Sequence, residues 1–338
     1  MPGIYALREF NLGTMAALGG TTDIPTTVFR GMAMIDDTRE VTFPDENVGI
    51  IGGVNRSYTA RTGSEVPVEG ACTFEQLPYI FQSGLYTATP TTDASSAEIW
   101  EWNMQAVSTD PIASSDLSYL VIETGDNQQA EIVRDGFVRE FTISGAAGEA
   151  LQLSATVQAR AVTTTTFTAG LSIPDVEEIL FSKGKLYIDP STDTPGTTEK
   201  AKTLLNMSLD VTTGWQAIEA ADGRLDFADV KRVAEEGRLE ITFEHDASAV
   251  SEISAWRNET ERVVRLEFEG TALSSTDAGA TYDTKTFIID AYGKWENFDP
   301  LDESDGNNVV TGTLRIGYSS GAAKKLDLTI ANETASLP

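Results

Sequence analysis

Short runs in which apolar and polar residues alternate recur along the chain, and this period of two predicts β-strands. Val66 and Val68 stand between polar residues, and so do Leu239, Ile241 and Phe243. Thr, Val and Ile fill many of these runs, and β-branched residues favour the pleated, half-buried surface of a sheet. The pattern therefore predicts a mainly β protein.

Two of the predicted strands run into a helix signal. Thr73 stands three residues before Gln76, which is the spacing of a capping box, and Asp246 has the side chain of a helix N-cap. After Asp246, Ile253 and Trp256 lie on one face at helical spacing. Each signal predicts one helix of about three turns.

The chain contains the same strand–turn–strand pattern twice. Ser-Gly-Ala-Ala turns begin at Ser144 and Ser320, which are 176 residues apart, inside residues 141–153 and 314–328. A repeat of this length indicates tandem copies of one domain rather than a solenoid of short units.

Further matches follow a similar offset. Residues 30–34 resemble residues 205–209 at a spacing of 175, whereas residues 100–104 match residues 264–268 at a spacing of 164. The first copy is therefore expected to carry roughly ten extra residues within residues 86–97, the difference between these two spacings.

One segment tests the repeat against local propensity. Residues 226–236 have a helix-forming composition. Their counterpart, residues 54–60, has the pattern of a strand that enters a turn. We follow the repeat and predict a strand.

The matches divide the chain into an N-terminal arm of residues 1–28, a first β domain of residues 29–165 and a second of residues 166–338. The length of 338 residues exceeds what one core usually covers. We therefore expect two tandem β-sandwich or barrel domains, each with one flanking α-helix. The arm is expected either to order only on assembly or to be a frayed terminus.

The charge is strongly acidic and evenly spread. The chain has 24 basic and 52 acidic residues, for a net charge of −28, and both halves share the excess of acidic residues. Since no dense patch of Lys and Arg occurs, adhesive binding to DNA or RNA is not expected. The charge fits an ordinary soluble surface, or a surface past which nucleic acid moves without adhering.

Enzyme motifs are missing from the sequence. Cys72 is the single cysteine and His245 the single histidine, and each precedes a predicted helix at an equivalent place in its copy. We expect them to pack against Leu77 and Val250 rather than to form a catalytic pair. No phosphate-binding or nucleophile-elbow motif occurs, so we predict no enzyme, no cofactor and no metal site.

Three features of the sequence bear on the cellular location of the protein. One cysteine excludes an intrachain disulfide, which suits assembly in a reducing cytoplasm. The first residues lack the basic and apolar regions of a signal peptide, and no apolar run reaches the roughly 18 to 20 residues of a membrane span. We therefore expect neither export nor membrane insertion.

Two other classes of function stay open. A tandem β-sandwich protein that binds carbohydrate or acts as an adhesin would need exposed aromatic residues, but Trp at strand or helix spacing more often packs in a core or an interface. The candidates for such a platform are Trp100, Trp102, Trp215, Trp256 and Trp295. A hydrolase that uses two carboxylates is the other class, although no pair stands out among 52 acidic residues.

The hairpin at Ser144, the strand–helix unit of residues 73–85 and the duplication together resemble the tail tube proteins of long, non-contractile-tailed bacteriophages. The resemblance covers residues 29–332. It implies β-sandwiches whose sheets join around a ring into a continuous inner barrel. In duplicated members of this family three chains form a pseudo-hexameric ring, and stacked rings with an acidic lumen conduct the genome.

The resemblance also implies partners and a location. We expect homotrimeric rings stacked into a tube, contacts with tape-measure and tail terminator or tip proteins, passage of DNA without specific binding, and a place in the virion tail after assembly in the host cytoplasm. Stacking needs projecting elements, and the arm and the connection peculiar to the first copy are candidates; a plain surface loop is the alternative for the connection. The candidate ring-stacking residues are Tyr86, Thr87, Pro90, Thr91, Asp93 and Ser96.

Overall fold

The computed structural model describes residues 8–52, 55–104, 114–304 and 306–337. Strands make up 50% of the chain and helices 8%, and the described strand pairs are antiparallel, which confirms the expected mainly β fold of the sandwich class. No helix in these ranges is long and apolar enough to cross a membrane.

The described ranges contain two α-helices, α1 (Leu77–Gly84) and α2 (Ala247–Arg257), with short 3-10 turns at Ser114–Asp116 and Phe181–Lys183. The strands in chain order are β1 (Glu9–Met15), β2 (Thr27–Val28), β3 (Met32–Ala33), β4 (Asp36–Asp37), β5 (Glu40–Thr42), β6 (Tyr58–Arg61), β7 (Ser64–Ala71), β8 (Thr91–Thr92), β9 (Glu98–Met104), β10 (Tyr119–Gly125), β11 (Ala130–Ala146), β12 (Gln152–Ala159), β13 (Thr163–Thr165), β14 (Gly184–Pro190), β15 (Leu204–Thr212), β16 (Trp215–Ile218), β17 (Asp229–Arg232), β18 (Glu236–Glu244), β19 (Arg262–Ala272), β20 (Thr284–Phe298), β21 (Asp302–Ser304), β22 (Asn307–Ile316) and β23 (Leu326–Asn332).

One antiparallel sheet, which we call the shared sheet, runs through both halves of the chain. Its strand order is β3 with β4, β7, β12, the C-terminal part of β11, β15, β18, β22, and the C-terminal part of β20 with β21. Alternate residues of these strands are buried, because one face covers the core and the other faces outward. Val66 and Val68 are buried, for example, whereas Glu65 and Glu69 are exposed.

A second layer closes the core in each half. In the first half it consists of β2, β1, β10, the N-terminal part of β11 and β13. In the second half it consists of β14, β19, the N-terminal part of β20, β23, β9 and β8. The buried apolar residues between the layers form one cluster that extends through both halves.

The strand pairings repeat in the same order in the two halves. The pairs β1–β10, β10–β11, β11–β12, β7–β12 and β11–β13 correspond to β14–β19, β19–β20, β20–β22, β18–β22 and β20–β23. A β-bulge even falls at the same place, between Val138 and Glu140 in β11 and between Trp295 and Asn297 in β20. This topology agrees with a duplication, while the boundaries at residues 28 and 165 stay a prediction.

Two of the sequence matches do not correspond in space. The hairpin of β11 and β12 is equivalent to β20 and β22, whereas the turn within residues 314–328 joins β22 to β23. Residues 100–104 lie in β9, beside β23, and the counterpart of β19 is β10. Residues 85–118 connect α1 to β10, whereas only residues 258–261 connect α2 to β19. The insertion after the first helix is therefore much longer than ten residues.

The N-terminal region differs from the expected arm. Glu9–Met15 forms β1, which pairs with β10 over its whole length, and Phe10, Leu12 and Met15 are buried. Residues 8–28 are thus built into the first half by hydrophobic burial. Residues 1–7 lie outside the described ranges.

The two helices begin in different ways. At α2 the expected N-cap is confirmed, since the Asp246 carboxylate accepts hydrogen bonds from the N–H groups of Ser248 and Ala249 at 2.8 and 2.9 Å. The capping box at Thr73 is wrong: Thr73 binds the Gln76 N–H at 3.2 Å, but α1 starts only at Leu77. The Gln76 side chain instead accepts from the Arg30 N–H, which ties the helix start to the segment before β3.

Candidate assembly surfaces

The outward face of the shared sheet, which we call the open face, is polar and mainly acidic. It is built from the alternate residues of each strand that point away from the core. Its acidic residues include Asp36, Glu65, Glu69, Glu140, Asp210, Glu236, Glu240, Glu244 and Glu296, its basic residues are Arg139, Arg238, Lys294 and Arg315, and Ser, Thr and Gln fill most other positions.

Cross-strand neighbours on the open face partly neutralise one another. The Thr142 hydroxyl donates to the Asp210 carboxylate at 2.6 Å, and Arg238 lies 3.5 Å from Glu296. Arg238 also stands opposite Asp210 in the register of β15 and β18. Arg238 therefore has carboxylate neighbours, whereas Arg315 stands opposite both Arg238 and Lys294 in the register of β18, β22 and β20.

The shared sheet ends in two free edges of different sequence. At one edge, β3 and β4 pair only with β7 among the described residues. At the other, the C-terminal part of β20 and β21 pair only with β22 in the same ranges. Free strand edges offer unpaired N–H and C=O groups and readily accept a further strand.

The edge at β3 carries exposed apolar side chains beside a groove. Met32 is 70% and Met34 68% exposed. The groove has a volume of about 610 Å³ and is also lined by Arg8, Phe10 and Thr124. The Thr124 hydroxyl donates to the Ala33 carbonyl at 3.0 Å. An apolar edge next to an open groove is a candidate contact for another chain.

The opposite edge carries one exposed apolar residue of its own. Leu301 lies between β20 and β21 and is 56% exposed. Residues on either side stay in the sheet, since the Asp299 N–H donates to the Thr311 carbonyl at 2.8 Å and Asp302 pairs with Val309. Leu301 is therefore presented on an ordered edge.

The junction between the two halves shows how such edges combine. The C-terminal part of β11 pairs with β15 over seven residue pairs, from Glu140 with Thr212 to Ala146 with Asn206. The ladder is extended at its end by Thr213, whose hydroxyl donates to the carbonyls of Val138 and Arg139 at 2.8 and 2.9 Å. We call this the internal junction.

A turn fills the space next to the internal junction. The turn between β11 and β12 binds the second half through the Ala147 N–H and the Leu205 carbonyl at 3.2 Å. Beneath it, the side chains of Leu151 and Phe181 close over Gly145, where a Cβ atom would lie only 2.3 Å from Leu151 and 2.9 Å from Phe181. The turn thus lies beside β15, as the groove of the first half lies beside β3.

The predicted ring-stacking residues fall on one connection, and its two ends are bound to the rest of the protein. At the first end, the Tyr86 hydroxyl accepts from the Asn103 N–H at 2.6 Å and the Thr87 N–H donates to the Asp116 carbonyl at 2.6 Å. Thr91 is exposed and lies in β8, an edge strand of the second half's outer sheet, and Pro90 beside it is half-exposed. The stacking role of this segment stays a prediction.

The second end of the connection is anchored to the loop between β19 and β20. The Asp93 carboxylate accepts from the N–H groups of Tyr282 and Thr281, and these bonds hold the pKa of Asp93 below its usual range. The Ser96 hydroxyl donates to Glu333, whose pKa is lowered to about 2 by hydrogen bonds from Ser274 and Ser96. The connection is therefore held on the second half by hydrogen bonds.

Cys72 and His245 lie in different surroundings. Cys72 is buried next to the helix start as expected, and burial raises the pKa of its thiol. The expectation for His245 is wrong, because His245 is exposed and Val250 is 49% exposed. Among the described residues no group of His, Cys, Asp and Glu has the arrangement of a metal site.

The tryptophans do not form a platform for a sugar. Trp256 is half-buried and its indole N–H donates to the Glu296 carbonyl at 3.2 Å. The others are at most 4% exposed and pack in the cores: Trp100, Trp102, Trp215 and Trp295. Stacking on a sugar ring requires an accessible aromatic face, so these side chains are not available for it.

No family model matches the sequence, and no curated protein matches it.

Proposed function

We propose that this protein is a structural subunit of a phage tail tube, which assembles by joining the free edges of its shared sheet into rings. The observation that carries the proposal is the internal junction, in which the edge of one half already pairs with the edge of the other. The shared sheet ends in the same two kinds of edge, and both are unpaired among the described residues.

The two free edges are counterparts of the strands at the internal junction. The C-terminal part of β20 matches β11, because both carry the same bulge and pair with equivalent strands. The edge at β3 matches β15, since Ala33 pairs with Val68 as Met207 pairs with Ile241. Joining the edge of one chain to the other edge of the next is a head-to-tail contact, which closes into a ring if the rotation allows it.

The internal junction also supplies the register. Ser144, four residues beyond the bulge residue Glu140, faces Ser208. In the same way, Leu301 lies four residues beyond Asn297, the counterpart of Glu140. Met34 follows Ala33 as Ser208 follows Met207. Leu301 of one chain would therefore lie opposite Met34 of the next. The two exposed apolar side chains would cover each other. The connection between β20 and β22 of the same neighbour would fill the groove beside β3.

The strength of one such contact is modest. Completing the burial of Met32, Met34 and Leu301 would contribute about 3 to 6 kcal/mol, since full burial of each is worth about 1.5 to 3 kcal/mol and each is already partly covered. Association of two proteins costs at least about 4 kcal/mol in lost freedom of motion. Backbone hydrogen bonds and further contacts are therefore needed, and assembly should depend steeply on concentration.

The open face suits the lining of a conduit. Its carboxylates outnumber its cations and repel phosphates on balance, and its hydroxyl and amide groups offer only weak neutral contacts to DNA. Three chains of two similar halves would give a ring with six such faces, as in the duplicated tail tube proteins that the sequence resembles. Tape-measure protein inside the tube, terminator and tip proteins at its ends, and a place in the virion tail belong to the same proposal.

Negative-stain microscopy of the concentrated, purified protein tests this function. Rings with sixfold appearance, or tubes of uniform bore, are the expected result. A protein that stays monomeric at every concentration, or that binds a glycan tightly without assembling, would overturn the proposal.

A further inference from the structure

The hairpin of β5 and β6 presents apolar side chains to solvent. Val41 is 45% and Phe43 68% exposed, and they stand two residues apart, on one face of an extended segment. The base of the hairpin is held in place, because Arg61 lies 2.7 Å from Glu219 and the Thr62 N–H donates to the Leu225 carbonyl at 2.8 Å.

The second half contains the equivalent hairpin, formed by β16 and β17, and there the same face is covered. Trp215 follows Met207 by eight residues, as Val41 follows Ala33. Ala217 takes the place of Phe43 in the same way. Trp215 is only 1% exposed, and Ala217 packs beside it.

The surface that covers the second hairpin belongs to the first half. The β16–β17 hairpin packs on the outer layer of the first half, where Phe227 meets Phe137 edge to face with ring centroids 5.7 Å apart. The buried members of this cluster are Met15, Leu117, Tyr119, Val121, Ile132, Phe137, Trp215, Phe227 and Val230. Each hairpin is thus expected to lie on the half that precedes it, and within residues 1–338 no half precedes the first one.

We propose that the Val41 and Phe43 face of the β5–β6 hairpin docks on the second half of a neighbouring copy of this chain. The inference rests on the proposed ring, since the neighbour that supplies the preceding half is the one whose β20 edge joins β3. It assigns a contact that lies beyond the sheet edges themselves.

Charge at the base of the hairpin supports a second copy as the occupant. In the internal junction the Thr213 N–H donates to the Arg139 carbonyl at 2.9 Å. In the contact between chains, Arg39 takes the place of Thr213, because it follows Ala33 by six residues as Thr213 follows Met207. Glu296 takes the place of Arg139, because it directly precedes Asn297 as Arg139 precedes Glu140. The backbones of Arg39 and Glu296 would therefore be adjacent across the contact, and their opposite charges favour this pairing over a repulsive one.

The first experiment compares full-length variants of matched exposure. Val41→Ser with Phe43→Ser should raise the concentration needed for ring formation at least about tenfold, because each lost 1.4 kcal/mol of contact weakens association tenfold. The control is Ile173→Ser with Val250→Ser, at residues that are 69% and 49% exposed. It should assemble like the unmodified protein, and thermal unfolding by circular dichroism should show that both variants fold.

A charge exchange locates the docking site. Arg39→Glu and Glu296→Arg should each weaken ring formation, and the chain that carries both should recover it to within about threefold. Recovery supports docking on the neighbour's second half, whereas a double variant as weak as the singles places the hairpin elsewhere and overturns the inference.

The remaining outcomes separate this inference from the ring itself. If rings form and the Val41 and Phe43 variant assembles as well as the unmodified protein, the docking is wrong and the ring stands. Equal loss in the test and control variants also refutes a specific role of this face. If the unmodified protein never assembles, the ring and the docking fall together.

Discussion

Arg160 holds the two halves together, and its removal should be costly. Its guanidinium lies 2.6 Å from the Asp135 carboxylate, and both side chains are at most 10% exposed. The same group donates to the Phe227 carbonyl at 3.2 Å and lies 5.0 Å from the centre of the Phe227 ring. One residue of the first half thus fastens the β16–β17 hairpin of the second.

The magnitude follows from what Arg160→Met would leave behind. Removing one partner of a buried ion pair usually costs about 3 to 5 kcal/mol, because the other charge stays without compensation. Asp135 keeps a hydrogen bond from the Gly19 N–H at 2.8 Å, which offsets part of this loss. We therefore expect Arg160→Met to lower the free energy of unfolding by about 3 to 4 kcal/mol at pH 7.

The sign of the pH dependence is fixed by Asp135. Burial raises the pKa of Asp135 even with Arg160 present, and without the guanidinium the pKa rises further. A raised pKa in the folded state means that protonation favours the fold, so the deficit of the variant is largest above that pKa and shrinks as the pH falls towards 4.

Chemical unfolding followed by circular dichroism at pH 7 and pH 5 measures both effects. Arg224→Met is the control, because Arg224 is 47% exposed and its ion pairs are at 3.9 Å, so it should cost at most about 1 kcal/mol. Hydrogen exchange should localise the loosening to the β16–β17 hairpin. Equal costs for the two variants, or a deficit that grows at pH 5, would refute this reasoning.

Three further outcomes are expected. Glu333→Gln should lower the melting temperature more at pH 7 than at pH 3, since the lowered pKa of Glu333 stabilises the fold above about pH 4.5 and this is lost as the pH falls towards 2; equal differences at both pH values would contradict it. Raising the salt concentration should promote ring formation, because the junction register places Asp36 opposite Asp299 and each chain carries a net charge of −28; inhibition by salt would count against the register. Thr91→Arg should leave rings intact but reduce their stacking into tubes in micrographs, and an unchanged ratio of tubes to rings would remove the 86–96 connection from the stacking contact.

Local patterns in the sequence predict the elements of the shared sheet well. The alternation at Val66 and Val68 marks a strand with one buried face, and Asp246 marks a helix start. The repeat also corrects a local signal: residues 226–236 look helical, yet β17 (Asp229–Arg232) is a strand, as its counterpart β6 indicates. Consistency between copies is informative here because both must fit the same pairing order.

Non-local pairing is what the sequence could not show. The second half has longer connections after β19 and β20 than the first half has after β10 and β11. These partly compensate for the long insertion at residues 85–118, so the spacing between matched residues does not reveal it. For the same reason nothing local indicates that β9, from the first half, pairs with β23 of the second. The free edges and the equivalence of Met34 and Leu301 to a paired position emerge only from the strand register.

A disulfide across the proposed junction tests the central claim most directly. Met34→Cys with Leu301→Cys places two thiols opposite each other, at a Cβ separation of about 4.5 to 5.5 Å for facing residues, close to disulfide geometry. Cys72 is buried and should not interfere. The control is Met34→Cys with Asp302→Cys, in which the second thiol points to the other face of the strand.

Mild oxidation of the concentrated protein, followed by gel electrophoresis without reductant, gives the result. The register predicts interchain dimers and closed trimers for the Met34 and Leu301 variant and few for the control. Equal cross-linking in both variants, or none in the first, would contradict the joining of the two edges into a ring.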